Sequence, residues 1–278
     1  MSSDPDRKSA FDVGASPLRI DDLQGEAAAN RLGIKFHYFP ELDSTNSYAR
    51  RLAQQGAPEG EVVIAERQSE GRGRLGRSWV SPPYRNLYCS LLLRPTLAPA
   101  HAPQITLMAA VALADTVASF VAEPPEIKWP NDILLRGKKL AGILTESSCD
   151  SQRIEFVIVG IGVNLNFPAE LMPEAIRHRA TSLMEVAGTR VSRETFLRRL
   201  IHDLDRCYGI LEESGFDALA PRWQARFGLR GKRVRVEMGS ELLTGRAVGI
   251  DGDGALLVED DRGERQRVVA GDVTAVED

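Results

Sequence analysis

Cysteine is scarce in this chain: three residues among 278, at positions 89, 149 and 207. An odd, widely spaced set forms neither a disulfide framework nor a zinc site, and it points to a reducing, cytoplasmic setting. Histidine is sparse too, four scattered residues, so no Cys/His metal centre is expected. There is no basic excess. Lys and Arg number 35 against 39 Asp and Glu, a net charge of −4, whereas a dedicated nucleic-acid binder carries a basic domain; no DNA partner is expected. The N-terminus is polar and of mixed charge, without the apolar core of a signal peptide. The longest apolar stretch, Ile105 to Ala122, is interrupted by Asp115 and lacks flanking basic anchors. It reads as a buried helix, and no membrane association is expected. No internal repeat is visible.

What the chain does contain is a loop-like run from Glu66 to Trp79, ERQSEGRGRLGRSW. Gly71, Gly73 and Gly76 alternate with Arg72, Arg74 and Arg77, and Trp79 closes the run. Glycines let a ligand approach the main chain. Guanidinium forks suit phosphate and carboxylate. An aromatic beside them offers a face for a flat ring. The run therefore predicts a loop that folds around a small anionic ligand. Its spacing also matches G-x-G-x-x-G, but a dinucleotide fingerprint must open a helix and be followed by an acidic residue about 20 positions on. Here the last glycine leads to Arg-Ser-Trp-Val-Ser-Pro-Pro, and the acidic position falls in Leu-Leu-Leu-Arg-Pro.

Taken in order, residues 1–16 are expected to be disordered and 17–31 to form a short helix. Residues 34–39 alternate as a strand. Ser44 or Thr45 caps a helix with Tyr48, Ala49, Leu52 and Ala53 on one stripe. Residues 61–66 and 86–95 read as buried strands, and a helix spans about 104–121. Residues 127–135 and 138–146 form strands joined at Arg136-Gly137 by a hairpin turn, and 153–166 form another. Hairpin connections favour an α+β sheet with helices on one face over a doubly wound sheet. Ser192 caps a long amphipathic helix that Gly215 ends, and a second helix runs to about Phe227. After Gly228 come five short strands in about 45 residues, the pattern of a small β-barrel.

Four segments carry polar or glycine content that a plain core does not need: STN (44–46), the 68–79 loop, KWPND (128–132) with KLAG (139–142), and GIGVN (160–164). Singly, each has a bland explanation as cap, surface ion pair, turn or bulge. Together, in this order and spacing, STN, ERQSEGRGRLGRSW, KWPNDILL, KLAGILTE and GIGVNLN resemble the biotin–protein ligases, or biotin–acetyl-CoA-carboxylase ligases, over about residues 34–278. The resemblance implies a class II aminoacyl-tRNA-synthetase-like α+β catalytic domain with a mixed sheet and helices, plus a small C-terminal Src-homology-3-like β-barrel. Residues 1–33 would be a partly disordered N-terminal extension, 34–228 the catalytic domain and 229–278 the barrel.

The reaction it implies activates biotin with ATP and Mg²⁺ as biotinyl-5′-AMP. The biotinyl group then passes to a lysine of the biotin carboxyl carrier protein of acetyl-CoA carboxylase or a related carboxylase. Family roles fall on matching positions. Ser44, Thr45, Asn46 and Gln68 would lie on the biotin side, with the backbone of Gly71 and Arg72 completing the ureido contacts. Arg74 and Lys139 would face the biotin carboxylate and α-phosphate, and Arg77 would hold phosphates. Trp79 would pack on adenine or the closing loop, Asn131 would lie near phosphate and metal, and Asn164 near the nucleotide. Gly142, Gly160 and Gly162 would let the ligand lie on the strands, and Asp132 would orient Mg²⁺ or the incoming lysine. Residues 1–33 are too few and too polar for the DNA-binding helix-turn-helix of some members, so the likeness is to the monofunctional type. Members also form homodimers. The rival readings are a lipoate or octanoate ligase, a DNA-binding biotin sensor without ligase activity, and an inactive ligand-binding remnant, against which stand Arg74 and Lys139. The 66–79 loop is expected to act as a mobile cover that orders over the adenylate and shields it from water.

Overall fold

In the computed structural model the described residues are 16–20 and 31–276. The disorder expected for residues 1–16 and most of the helix expected over 17–31 lie outside them, and residues 16–20 form neither helix nor strand. Among the described residues the main sheet has seven strands: β1 (Lys35–Leu42), β2 (Glu61–Gln68), β3 (Leu87–Leu93), β4 (Glu126–Lys128), β5 (Asp132–Leu135), β6 (Lys138–Cys149) and β7 (Ile154–Val163). Their order is β1-β2-β3-β7-β6-β5-β4. The helices are α1 (Thr45–Gln54), α2 (Ala102–Ala118), α3 (Glu174–Arg177), α4 (Leu183–Ala187), α5 (Arg193–Ser214) and α6 (Ala220–Ala225).

β1 and β2 pair in parallel, and the other neighbours pair antiparallel. A parallel pair needs a crossover, and here α1 supplies it. Ala49 and Ala53 of α1 bury against Val63, Leu92, Phe156 and Ile158 on one face of the sheet. On the opposite face Val62, Ile64, Leu91, Val157 and Val159 join a larger core with α2 and α5. Helices therefore cover both faces, not one as the hairpin reading suggested. The uninterrupted Val-Val-Ile-Ala run of β2 already carried that signal, because a strand buried on both sides loses its alternation.

Local signals mostly act as their chemistry dictates. Arg136 and Gly137 both take positive φ, 52° and 71°, the geometry of a two-residue hairpin turn. Ser192 Oγ accepts the Thr195 N–H at 3.1 Å to cap α5, and Gly215, at φ 74°, ends that helix. Ser44 does occupy the cap position of α1, but its side chain makes no capping bond. The orphan N–H of Thr45 goes instead to Gln68 Oε1 at 2.9 Å, so a strand side chain closes the helix end.

Residues 233–275 form a second, five-stranded antiparallel sheet of the Src-homology-3-like type: β8 (Arg233–Met238), β9 (Glu241–Ile250), β10 (Leu256–Glu259), β11 (Arg265–Val268) and β12 (Asp272–Ala275), ordered β11-β10-β9-β8-β12. Val234, Val236, Ala247, Leu256, Val258 and Val273 are buried in it. Three bonds tie this unit to the first: Trp129 Nε1, in the β4–β5 turn, to Gly254 O at 3.0 Å, Gln104 Nε2 of α2 to Gly252 O at 2.9 Å, and Gln224 Nε2 of α6 to Ile250 O at 3.2 Å. At the other end a buried Glu66–Arg193 pair, 2.5 Å apart, also takes the Leu18 N–H and the Tyr38 hydroxyl, docking residues 16–20.

Candidate active site

A cleft of about 860 Å³, its open mouth included, lies on the α1 face of the sheet. It is bounded by the N-terminus of α1, the end of β2, strands β6 and β7, and the arginine loop. One end is polar and buried. Thr45 N–H and Oγ1 lie 2.9 and 3.1 Å from Gln68 Oε1, and Gln68 Nε2 points to Ser81 Oγ at 3.4 Å. Ser90 Oγ, fully buried on β3, lies 2.7 Å from Thr45 Oγ1 and 2.6 Å from Asn46 Oδ1. Asn46 Nδ2 in turn donates to Leu144 O at 3.1 Å and Glu146 Oε2 at 2.8 Å. This set of buried polar groups is held mainly by contacts among its own members.

The other end is cationic. Lys139 Nζ sits 2.7 Å from Asp132 Oδ1 and 5.4 Å from the Trp79 ring centroid. A β-bulge places it there. Gly142 pairs with Asp132 and Ala141 with Ile133, yet Leu134 pairs with Lys139 instead of Leu140. Strict alternation from Gly142 would put Leu140 on the cleft face and Lys139 on the core face. The extra residue reverses this, burying Leu140 and turning Lys139 toward Asp132. Arg74 donates to Asn131 Oδ1 at 3.3 Å and Gly271 O at 3.4 Å, and Asn131 is itself held by Ile143 O at 2.7 Å. Arg77 pairs with Asp272 of the second sheet. Arg72 grips both oxygens of Glu146 at 3.2 and 3.1 Å.

Three of these four cations thus face a carboxylate, while Arg74 is held by neutral oxygens among the described residues. Burial lowers the proton affinity of the Arg74 guanidinium, against the pull of Asp132 and Asp272. Burial pushes the Asp272 carboxyl up, but the Arg77 bond and the charges of Arg77, Lys128 and Arg74 outweigh it and leave it below the usual range. Such a site can hold two anionic groups side by side and offset their repulsion. The loop carrying the arginines is tied down by Trp79 N–H to Gly71 O at 2.8 Å and Gly73 N–H to Arg77 O at 2.6 Å. Leu75 at its tip has φ 55° and is 72% exposed.

Most sequence-designated residues converge here: Ser44, Thr45, Asn46, Gln68, Arg72, Arg74, Arg77, Trp79, Asn131, Asp132, Lys139, Gly142, Gly160 and Gly162 all line the cleft. Two do not. Gly71 lies behind the loop, where an added Cβ would stand 2.5 Å from Trp79 O. Asn164 is buried outside the cleft. Its Nδ2 donates to Thr181 O at 3.0 Å and its N–H to Leu140 O at 3.0 Å. It is an anchor: Thr181 N–H also bonds Lys139 O at 2.9 Å, so Asn164 helps fix the segment that flanks Lys139.

Gly142, Gly160 and Gly162 lie directly under side chains. An added Cβ at Gly160 would overlap Asn46. At Gly162 it would be 2.7 Å from Trp79 Cε2, and at Gly142 3.1 Å from Trp79 Cζ3. They make room for Asn46 and the indole, side chains that line the cleft. Asp132 stands as one carboxylate beside Lys139, and no group of three His, Cys, Asp or Glu able to hold a metal occurs among the described residues.

Sequence reasoning missed Ser90, Glu146 and Asp272. A lone hydroxyl in the buried strand Leu-Tyr-Cys-Ser-Leu-Leu-Leu was a readable signal for Ser90. Glu146 ends the KLAGILTE motif. Nothing local marks Asp272, which reaches Arg77 from 195 residues away.

The chain matches the model of the biotin/lipoate A/B protein ligase family over residues 38–164, and that of the biotin protein ligase C-terminal domain over residues 230–274. It is 38% identical to a biotin–[acetyl-CoA-carboxylase] ligase of Paracoccus denitrificans over 236 residues, 83% of this chain and 96% of that one. It is 36% identical to the bifunctional ligase/repressor BirA of Bacillus subtilis over 232 residues, 84% of this chain and 71% of that one. Among solved structures, the Aquifex aeolicus biotin protein ligase in complex with biotin and ATP superposes with a TM-score of 0.76 at 28% identity, covering 87% of this chain and all of that one.

Proposed function

The chain belongs to the biotin/lipoate A/B protein ligase family, and from that membership we propose how its cleft serves ATP-dependent biotinylation of a carrier protein. The enzyme activates biotin as biotinyl-5′-AMP and transfers the biotinyl group to a carrier lysine. The observation that carries the site reading is the union, in one cleft, of a buried polar end and four cations. Thr45, Gln68 and Ser44 take the ureido ring, with Asn46 and Glu146 behind them. The biotin carboxylate extends toward Lys139 and Arg74. The triphosphate lies along Arg74, Arg77 and Lys139, with Asn131 steadying Arg74.

The carboxylate oxygen attacks the α-phosphorus, and the bond to the β-phosphate oxygen breaks as pyrophosphate leaves. A carrier lysine amine then attacks the acyl carbon, AMP departs, and the amine proton passes to solvent. Both nucleophiles come from substrates, so the protein's contribution is orientation, on the order of 7–11 kcal/mol when reacting atoms are held in line, and charge stabilisation. Asp132, paired with Lys139 in the structure, would share in holding Mg²⁺ with the substrate phosphates once Lys139 turns to those phosphates. The ion would supply charge neutralisation on the phosphates. We assign residues 34–228 to catalysis and 229–278 to the barrel that reaches the loop through Asp272. The acceptor we assign is the carrier of acetyl-CoA carboxylase or a related carboxylase, in the cytoplasm. No helix among the described residues is long and apolar enough to cross a membrane.

The test is mass spectrometry of a biotin carboxyl carrier domain after incubation with the protein, biotin and MgATP. A biotinyl mass gain on one lysine is expected. No gain with biotin, or a gain with lipoate instead, would sink the reading.

A further inference from the structure

Four oxygens run in a chain along the polar end of the cleft: Asn46 Oδ1, Ser90 Oγ, Thr45 Oγ1 and Gln68 Oε1. Successive separations are 2.6, 2.7 and 3.1 Å. Each contact needs a proton to be attractive. The two ends have none to give. The Asn46 amide is fixed because its Nδ2 faces two acceptors, Leu144 O and Glu146 Oε2, so Oδ1 must face Ser90. The Gln68 amide is fixed because the Thr45 backbone N–H lies 2.9 Å from Oε1, leaving Nε2 toward Ser81.

Only the Ser90 and Thr45 hydroxyls hold protons, one each, for three contacts. One contact is therefore bare. Oxygens without a proton between them repel, so the bare contact is the longest, the 3.1 Å between Thr45 Oγ1 and Gln68 Oε1. Ser90 then donates to Asn46, and Thr45 donates to Ser90. What faces the cleft is a pair of acceptors with no proton of their own.

We infer that Ser90 is a positioning residue that makes Thr45 Oγ1 and Gln68 Oε1 a paired acceptor for one ureido N–H of biotin, setting specificity for an N–H donor at that point of the ring. This rests on the biotin reading of the cleft. Ser90 is fully buried and acts through Thr45. Two acceptors 3.1 Å apart can share one N–H in a three-centre bond. A ring bearing oxygen or sulfur at that point adds a third lone-pair atom and leaves buried acceptors unpaired. That rejects a ligand far more strongly than a small misfit in shape.

The probes are biotin and its two cyclic carbamate analogues, each with one ureido N–H replaced by a ring oxygen. Calorimetry reads Kd, and pyrophosphate release reads kcat and KM. The full chain should bind one carbamate at least roughly a hundredfold more weakly than biotin. Ser90→Ala frees the Thr45 hydroxyl to donate into the gap. KM for biotin should rise roughly tenfold, with a much smaller change in kcat, and the carbamate-to-biotin Kd ratio should fall toward one. Ser90→Thr, which keeps the hydroxyl, should keep the ratio. A purely structural role for Ser90 would raise KM without changing that ratio. Equal binding of biotin and both carbamates by the unaltered chain overturns the inference without any variant, as does a folded Ser90→Ala protein with an unchanged ratio. If the unaltered chain releases no pyrophosphate with biotin, the ligase reading fails first and takes this inference with it.

Discussion

Replacing Gly160 by alanine probes the cleft with a single methyl group. The new Cβ would overlap Asn46 Oδ1 and stand 2.8 Å from its Cγ and 3.0 Å from its Nδ2. Gly160 cannot retreat, because it is paired with Ser90 of β3 on one side and Leu144 of β6 on the other. Asn46 must therefore leave. Its bonds to Ser90 at 2.6 Å, Leu144 O at 3.1 Å and Glu146 at 2.8 Å go with it. Three bonds at about 1 kcal/mol each, less the roughly 0.5–1 kcal/mol by which alanine is favoured over glycine in a strand, leave a net loss of about 2 kcal/mol. For a chain of this length that is a Tm decrease of about 4–8 °C. Because Asn46 orients Ser90 and hence Thr45, KM for biotin should also rise, by at least roughly tenfold. Scanning calorimetry and pyrophosphate release measure both. Gly209→Ala in α5, where an added Cβ meets nothing within 4 Å, is the control and should be neutral or stabilising by up to about 1 kcal/mol. A Gly160→Ala protein with unaltered Tm and KM would refute the reasoning.

Three further outcomes follow from the same geometry. Lys139→Ala should slow pyrophosphate release at least roughly a hundredfold through lost charge stabilisation, with only a small Tm change because its pair with Asp132 is part-exposed; unchanged release would mean Lys139 is misassigned. Asp272→Asn should weaken the tie between the barrel and the arginine loop. Since the Asp272 carboxyl lies below the usual range, the tie is complete above about pH 4 and is lost as pH falls through the depressed value; acid titration of the denaturation midpoint should show this in the natural chain and not in the variant. Burial pushes the Cys89 thiol up to about 12 and the Cys207 thiol up to about 11, whereas Cys149 is exposed. A maleimide at pH 8 should therefore label one thiol in the native protein and three after unfolding, as counted by mass spectrometry.

The α+β class, the Arg136-Gly137 hairpin, the Ser192 cap and the five barrel strands were all legible in the sequence. Each is set by short-range chemistry: alternation, a left-handed turn pair, a hydroxyl before a helix. Most of the cleft was legible too, because its segments keep distinctive residue types at fixed spacing. What escaped was pairing at a distance. Sequence could say that Asn164 is polar and follows two strand glycines, not that its amide turns away to bind Thr181 O. It suggested that Gly160 and Gly162 admit a ligand, and the structure fills those places with Asn46 and Trp79.

The sequence by itself determined which elements form and which side chains could carry charge and hydrogen bonds, since propensity, periodicity and chemical type are properties of the residues. Only the tertiary structure decided which way those side chains point and what they meet. The bulge that turns Lys139 into the cleft, the reach of Asp272 to Arg77 and the shortage of one proton between Asn46 and Gln68 all arise from register and proximity among strands far apart in the chain. Those contacts are fixed by packing the whole sheet at once, so no local window of sequence contains them.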